Sequence, residues 1–201
     1  MTTPLSPKLP SVVLSAADGA QAGVYLNGAH LASWVTPDGR ERLFMSERSV
    51  YASGEALRGG VPVVFPQFGR FGPLAPHGFA RVSAWDYLGT HTAADGSATA
   101  RFALSDSDST RGVWDHAFRL ELAVTVGGFQ LEIGLGVTNT GSEPFEFTAA
   151  LHTYLRVDAI EAVSVEGLEG RPYREAGVDA VQPDAPLRVQ GEVNRIYWAV
   201  P

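Results

Sequence analysis

Chemistry in this 201-residue chain is sought first among its five histidines and its arginines. His152 directly follows an alternating apolar segment, Phe145-Glu146-Phe147-Thr148-Ala149-Ala150-Leu151, and falls on the face opposite the apolar side chains. An imidazole with an ordinary pKa near 6.5 can donate or accept a proton at neutral pH. Thr148 and Ala150 share its face and are expected to form a floor beneath it. His77 is the second candidate. It sits in a run of turns, Gly72-Pro73-Leu74-Ala75-Pro76-His77-Gly78-Phe79. His30, His91 and His116 lie near predicted strand ends or turns and read as structural or exposed.

The stretch from Ala56 to Trp85 has no Asp or Glu, yet it holds Arg58, Arg70, His77 and Arg81. In a chain of net charge −7 this is a local island of positive charge. The planar fork of arginine suits phosphate or carboxylate, and loops stiffened by proline and glycine are where sites tend to be built. The segment therefore reads as an anion-binding loop for a small acidic substrate. Three solvated arginines in ordinary loops are the alternative.

Several chemistries are set aside by pattern. With no cysteine there is no thiol catalysis, thiolate zinc site or iron–sulfur cluster. No G-x-S-x-G elbow and no H-x-H or H-E-x-x-H motif occurs, so neither that hydrolase type nor a cupin or zincin metal site is expected. Gly134-Leu135-Gly136 lacks the third glycine of a dinucleotide loop and lies inside a predicted strand. An acidic chain has no general attraction for nucleic acid or anionic membrane. No apolar run approaches the roughly 18 residues of a membrane helix. The N-terminus has no apolar core after a basic start, so no signal peptide is read there and a cytoplasmic location is expected.

The elements that must position these residues are strands. Helical periodicity is poor, and the 22 glycines and 13 prolines are spread throughout. In 118–126 every even position is apolar; in 129–137 the odd positions are, after a Gly127-Gly128 turn. With 145–151 these make a predicted three-stranded antiparallel meander, one face on a core and the other wet or forming a cleft. The small residues Ala123, Gly134, Gly136 and Ala150 on its outer face leave room for a ligand or accept packing by another element. Shorter strands are predicted at 11–14, 22–26, 30–35, 42–46, 82–88, 97–104, 160–165 and 193–199. The expectation is one all-β sandwich or barrel domain over 1–201, with 1–10 a loose arm.

The run Leu57-Arg58-Gly59-Gly60-Val61-Pro62-Val63-Val64-Phe65-Pro66-Gln67-Phe68-Gly69, with His77-Gly78-Phe79-Ala80-Arg81 after it, resembles the hexose-6-phosphate mutarotase branch of the aldose 1-epimerase family. Leu151-His152-Thr153-Tyr154-Leu155-Arg156-Val157 resembles that family's histidine strand, and Val165-Glu166-Gly167-Leu168-Glu169-Gly170 the segment after it. The resemblance implies a galactose-mutarotase-like antiparallel β-sandwich with sugar bound on a sheet face. It implies interconversion of the α and β anomers of an aldohexose 6-phosphate by acid–base ring opening. No cofactor or metal is implied; the partner is a small sugar phosphate, and the chain is expected to be a monomer or weak dimer. By resemblance His152 is the acid at the ring oxygen and His77 sits near the reacting end. Arg58, Gln67, Arg81 and Asn194 are then substrate-binding. Asn194 stands where the family has an aspartate, and no residue matches the family's C-terminal general-base glutamate, so the chain reads as truncated. A carbohydrate-binding sandwich without turnover is the alternative function, and a sandwich with no sugar site the third.

Overall fold

The structure is a computed structural model that describes residues 5–200. The chain forms two compact units, the first ending at Arg156 and the second beginning at Val157. In the first unit β1 (Ser11–Ser15), β2 (Gln21–Tyr25) and β3 (His30–Val35) make one antiparallel sheet in chain order. β4 (Val63–Val64) stands outside it. β5 (Asp86–Thr92), β6 (Ala98–Ser105), β7 (Phe118–Gly127) and β8 (Gln130–Asn139) make a second antiparallel sheet, again in chain order. β9 (Ala150–Leu151) returns to pair with β4.

Period-2 alternation decides which faces meet. On β7, Phe118, Leu120, Leu122, Val124 and Val126 are buried, and the residues between them are only half-buried. Ala98, Ala100, Phe102 and Leu104 of β6 point the same way. They join Leu14, Ala22 and Val24 of the first sheet in one apolar cluster. Two sheets packed through that cluster are a β-sandwich, as the alternation predicts. The only α-helix among the described residues is a single turn, Asp108–Arg111, capped by the Ser107 hydroxyl.

The second unit is built from short pairings. β10 (Ser164–Val165) pairs with β13 (Leu187–Arg188), while β11 (Pro172–Glu175) lies between β12 (Val178–Val181) and β14 (Arg195–Tyr197). Gln182 is its one buried side chain among the described residues. Gln182 Oε1 accepts from Tyr197 Oη at 2.7 Å and from Arg195 Nη1 at 3.1 Å.

Several expectations need correction, among them the strand at 160–165, of which Ile160–Ala162 is a 3-10 turn. The β7–β8 turn is Gly128-Phe129, one residue later than predicted, because Gly127 still pairs with Gln130. The segment 145–149 is not a third meander strand. Phe145 and Phe147 turn into an aromatic cluster with Phe65 and Trp114, and the Thr148 amide donates to Pro66 O at 2.9 Å. The chain therefore runs beside 62–66 instead of beside β8. Residues 42–46 make only single bridges, Leu43 to Leu155 and Met45 to Gly59. Of the expected arm, 5–10 lies against the first sheet: Leu9 is buried, and the Ser6 amide donates to Tyr25 Oη at 2.6 Å. Residues 1–4 fall outside the described residues.

Candidate active site

The site is floored by two chain segments running antiparallel. Val63 lies opposite Leu151 and Val64 opposite Ala150. The pairing continues beyond the strands, where the His152 amide donates to Pro62 O at 3.1 Å and the Tyr154 amide to Gly60 O at 2.9 Å. Odd residues Val61, Val63 and Phe65 are buried in the core. Even residues Pro62, Val64, His152 and Tyr154 line a cavity of about 340 Å³ on the other face. Arg58, His77 and Arg81 line the same cavity, with Glu55, Ala56 and Leu57. That volume lies within the range of small-ligand pockets.

Each side chain is held by a specific device. Arg58 precedes Gly59-Gly60, where both glycines have positive φ (+108° and +58°). Gly60 is wedged against β3: a Cβ there would collide with Leu31 O and come within 2.7 Å of His30 Nε2. The Arg58 peptide is clasped by one hydroxyl, since Ser49 Oγ accepts from Arg58 N and donates to Arg58 O, both at 2.9 Å. His77 closes a loop on Gly69. Its amide donates to Gly69 O at 2.9 Å, and its Nδ1 accepts from Gly69 N at 3.3 Å. That bond leaves Nε2 as the proton-bearing nitrogen of the neutral ring. Burial, then the Arg81 and His152 charges, hold the His77 pKa below the ordinary imidazole range, so the ring is neutral near pH 7. His77 meets His152 edge-to-face at 6.1 Å, and His152 stacks on Tyr154 at 4.8 Å.

Arg81 carries the electrostatic signal of the cavity. Nη2 donates to Pro76 O at 2.8 Å, while the buried Nε has no partner among the described residues. Burial lowers its pKa. Among the described residues neither Arg58 nor Arg81 is in an ion pair. A half-buried cation without an acidic partner is costly unless an anion meets it.

Four of the six predicted site residues, Arg58, His77, Arg81 and His152, therefore meet in one cavity. Gln67 does not. It is buried, with Nε2 donating to Leu74 O at 3.1 Å and Oε1 accepting from Leu74 N at 2.9 Å. It braces the loop that carries His77 and lines a neighbouring cavity with Trp114 and Phe147. Asn194 is an exposed residue of the second unit whose backbone N–H donates to Glu175 Oε1 at 3.4 Å. Thr148 is not the floor under His152; its hydroxyl accepts from Phe68 N at 2.7 Å. Arg70 is exposed and does not line the cavity. Sequence reasoning missed Tyr154 and Glu55. Tyr154 was recoverable, being two residues past His152 on one extended segment. Glu55 carried no signal, lying one residue outside the acid-free run. Among the described residues no group of three or more His, Asp or Glu could hold a metal ion, and no helix is long and apolar enough to cross a membrane.

Residues 10–191 match the family model described as aldose 1-epimerase. The chain belongs to the aldose 1-epimerase family. A protein of Cenchrus ciliaris, provisionally named glucose-6-phosphate 1-epimerase, is 34% identical over 205 residues, covering 96% of this chain and 62% of its own. An Escherichia coli K12 protein with the same provisional name is 41% identical over 153 residues, covering 75% and 50%. The chain thus spans between half and two thirds of these relatives' lengths. A crystal structure of a provisionally named mutarotase from Salmonella typhimurium superposes with a TM-score of 0.79 at 33% identity, covering 90% of this chain and 60% of that one. A galactose mutarotase related enzyme from Lactobacillus acidophilus shares the fold, at a TM-score of 0.67 and 18% identity. The galactose-mutarotase-like fold and the epimerase branch inferred from the two motifs agree with these likenesses.

Proposed function

We propose that this aldose 1-epimerase family member interconverts the α and β anomers of an aldohexose 6-phosphate. The observation that carries this reading is the shared cavity. A histidine pair and two arginines without acidic partners line it together, so proton transfer and anion binding fall within one small-ligand volume. The phosphate engages the cavity-lining guanidinium groups of Arg81 and Arg58, neither of which has an acidic partner among the described residues. His152 gives a proton to the ring oxygen as the C1–O5 bond breaks, and a base takes the proton from the anomeric hydroxyl. C1 becomes an aldehyde, turns about C1–C2 and recloses on its other face. A positioned acid or base of this kind is worth about 10²–10⁴-fold in rate. His77, neutral and donating through Nε2, steadies the oxygen atoms near the reacting carbon.

Magnetisation-transfer NMR of glucose 6-phosphate with the protein tests the reading. Exchange above the buffer rate, reduced at least 100-fold in His152→Ala, is the expected result. Binding without any faster exchange would leave the second reading, a sugar-phosphate-binding sandwich; the amide of Asn194, where the family carries an aspartate, favours that one.

A further inference from the structure

The cavity around His152 is built mostly of hydrogen-bond donors. The guanidinium groups of Arg58 and Arg81 donate and cannot accept. His77 has its Nδ1 occupied by the Gly69 amide and has only a donor left. Donors satisfy phosphate oxygens, the ring oxygen and hydroxyl lone pairs. They cannot satisfy the hydrogen on each sugar hydroxyl, which loses water on entering the cavity and is expensive to leave unpaired. Glu55 is the one lining side chain whose ionised form accepts and never donates.

Its backbone is fixed from behind. Asn27 is buried in the first unit and holds the turn around Glu55 through two backbone groups: Nδ2 donates to Glu55 O, and Oδ1 accepts from Gly54 N, both at 2.9 Å. The Glu55 carboxylate itself has no hydrogen-bond or ion-pair partner among the described residues. Arg58, three residues on and lining the same cavity, is not paired with it. An anchored backbone puts an unengaged, solvent-exposed acceptor in the lining of the same cavity as the unengaged donors Arg58 and Arg81.

We propose that Glu55 is a specificity-determining residue that accepts hydrogen bonds from the sugar hydroxyls and sets the direction in which the substrate lies. Its negative charge repels the phosphomonoester, so the phosphate goes to the arginines and the polyol end to Glu55. The inference rests on the hexose-phosphate reading above and deepens it.

The test is calorimetric titration of wild type, Glu55→Ala and Glu55→Gln with glucose, glucose 6-phosphate and inorganic phosphate. Anomer exchange of the wild type is measured alongside. Glu55→Ala is expected to weaken both sugars by a similar factor, about tenfold or more, and to leave inorganic phosphate within twofold. Glu55→Gln, which keeps one acceptor, should fall between. The carboxylate supports no other contact, so both variants should melt with the wild type. Glucose affinity unchanged within twofold in Glu55→Ala overturns the proposal, as does tighter phosphate binding with glucose unaffected, which would put the carboxylate at the phosphate end. A wild type that binds sugar without faster exchange removes the epimerase reading alone. A wild type that binds no sugar overturns both.

Discussion

At the scale of single residues, His30 is a histidine held in the core, away from the cavity. It is buried beneath Gly60, Nε2 lacks a partner among the described residues, and burial pushes its pKa down to about 4. In the unfolded chain it titrates near 6.5. Between these values the unfolded state binds more protons, so folded stability falls as pH drops through this window. The contribution is complete above about pH 6.5 and lost on approaching pH 4, on the order of 3 kcal/mol in total. Denaturant midpoints at pH 7 and pH 4.5 should diverge in wild type and diverge less in His30→Gln. In sequence His30 stands apart as structural or exposed, and His77 as a candidate for its place in a run of turns. Both lie near glycines, and only packing makes one a core residue and the other a cavity wall.

At the scale of elements, the Gly59-Gly60 pair is where the sheet and the site are joined. Gly60 N donates to Phe44 O at 2.7 Å and Val61 N to Leu31 O at 2.8 Å, so the pair is held between β3 and the 44–46 segment. Gly60→Ala must place a Cβ against Leu31 O at a φ of +58°. The expected cost is roughly 2–4 kcal/mol, read as a lower denaturation midpoint, with weakened sugar-phosphate binding because Arg58 precedes the pair. The strands on either side were legible where burial is one-sided. The alternation of 118–126 states β7 and its inward face directly, since each inward side chain gains about 1.5–3 kcal/mol on burial. The 145–149 segment shows the same alternation for a different reason. Phe145 and Phe147 pack into an aromatic cluster, not onto a neighbouring strand's ladder, and period alone cannot tell those two outcomes apart. The motifs named Arg58, His77, Arg81 and His152, and the fold lines one cavity with all four. Gln67, named by the same motif, turns its amide to Leu74 of its own loop, and in sequence such an amide looks like one facing a ligand.

At the scale of the molecule, order is unevenly founded. The first unit has a cluster of buried side chains running from Leu14 to Val126. The second has Gln182 as its single buried side chain among the described residues, and its strands are two to four residues long. Elements with few buried apolar contacts open with little free energy. Amides of β11, β12 and β14 should therefore exchange with deuterium at least 100-fold faster than those of β6 and β7, as mass spectrometry of peptic fragments would read. Equal protection in the two units would mean that more than its own buried side chains supports the second.

The floor of the cavity has one more consequence, for how such a chain can change. Core and cavity are the two faces of one extended segment, with Leu151 inward and His152 outward. Losing or gaining a single residue within the paired stretch 150–154 would exchange those faces from that point on, turning an imidazole toward the apolar cluster. Change in this stretch is thus confined to substitutions or to steps of two residues, whereas the turn at Gly128-Phe129, exposed at its tip, is free to lengthen by one.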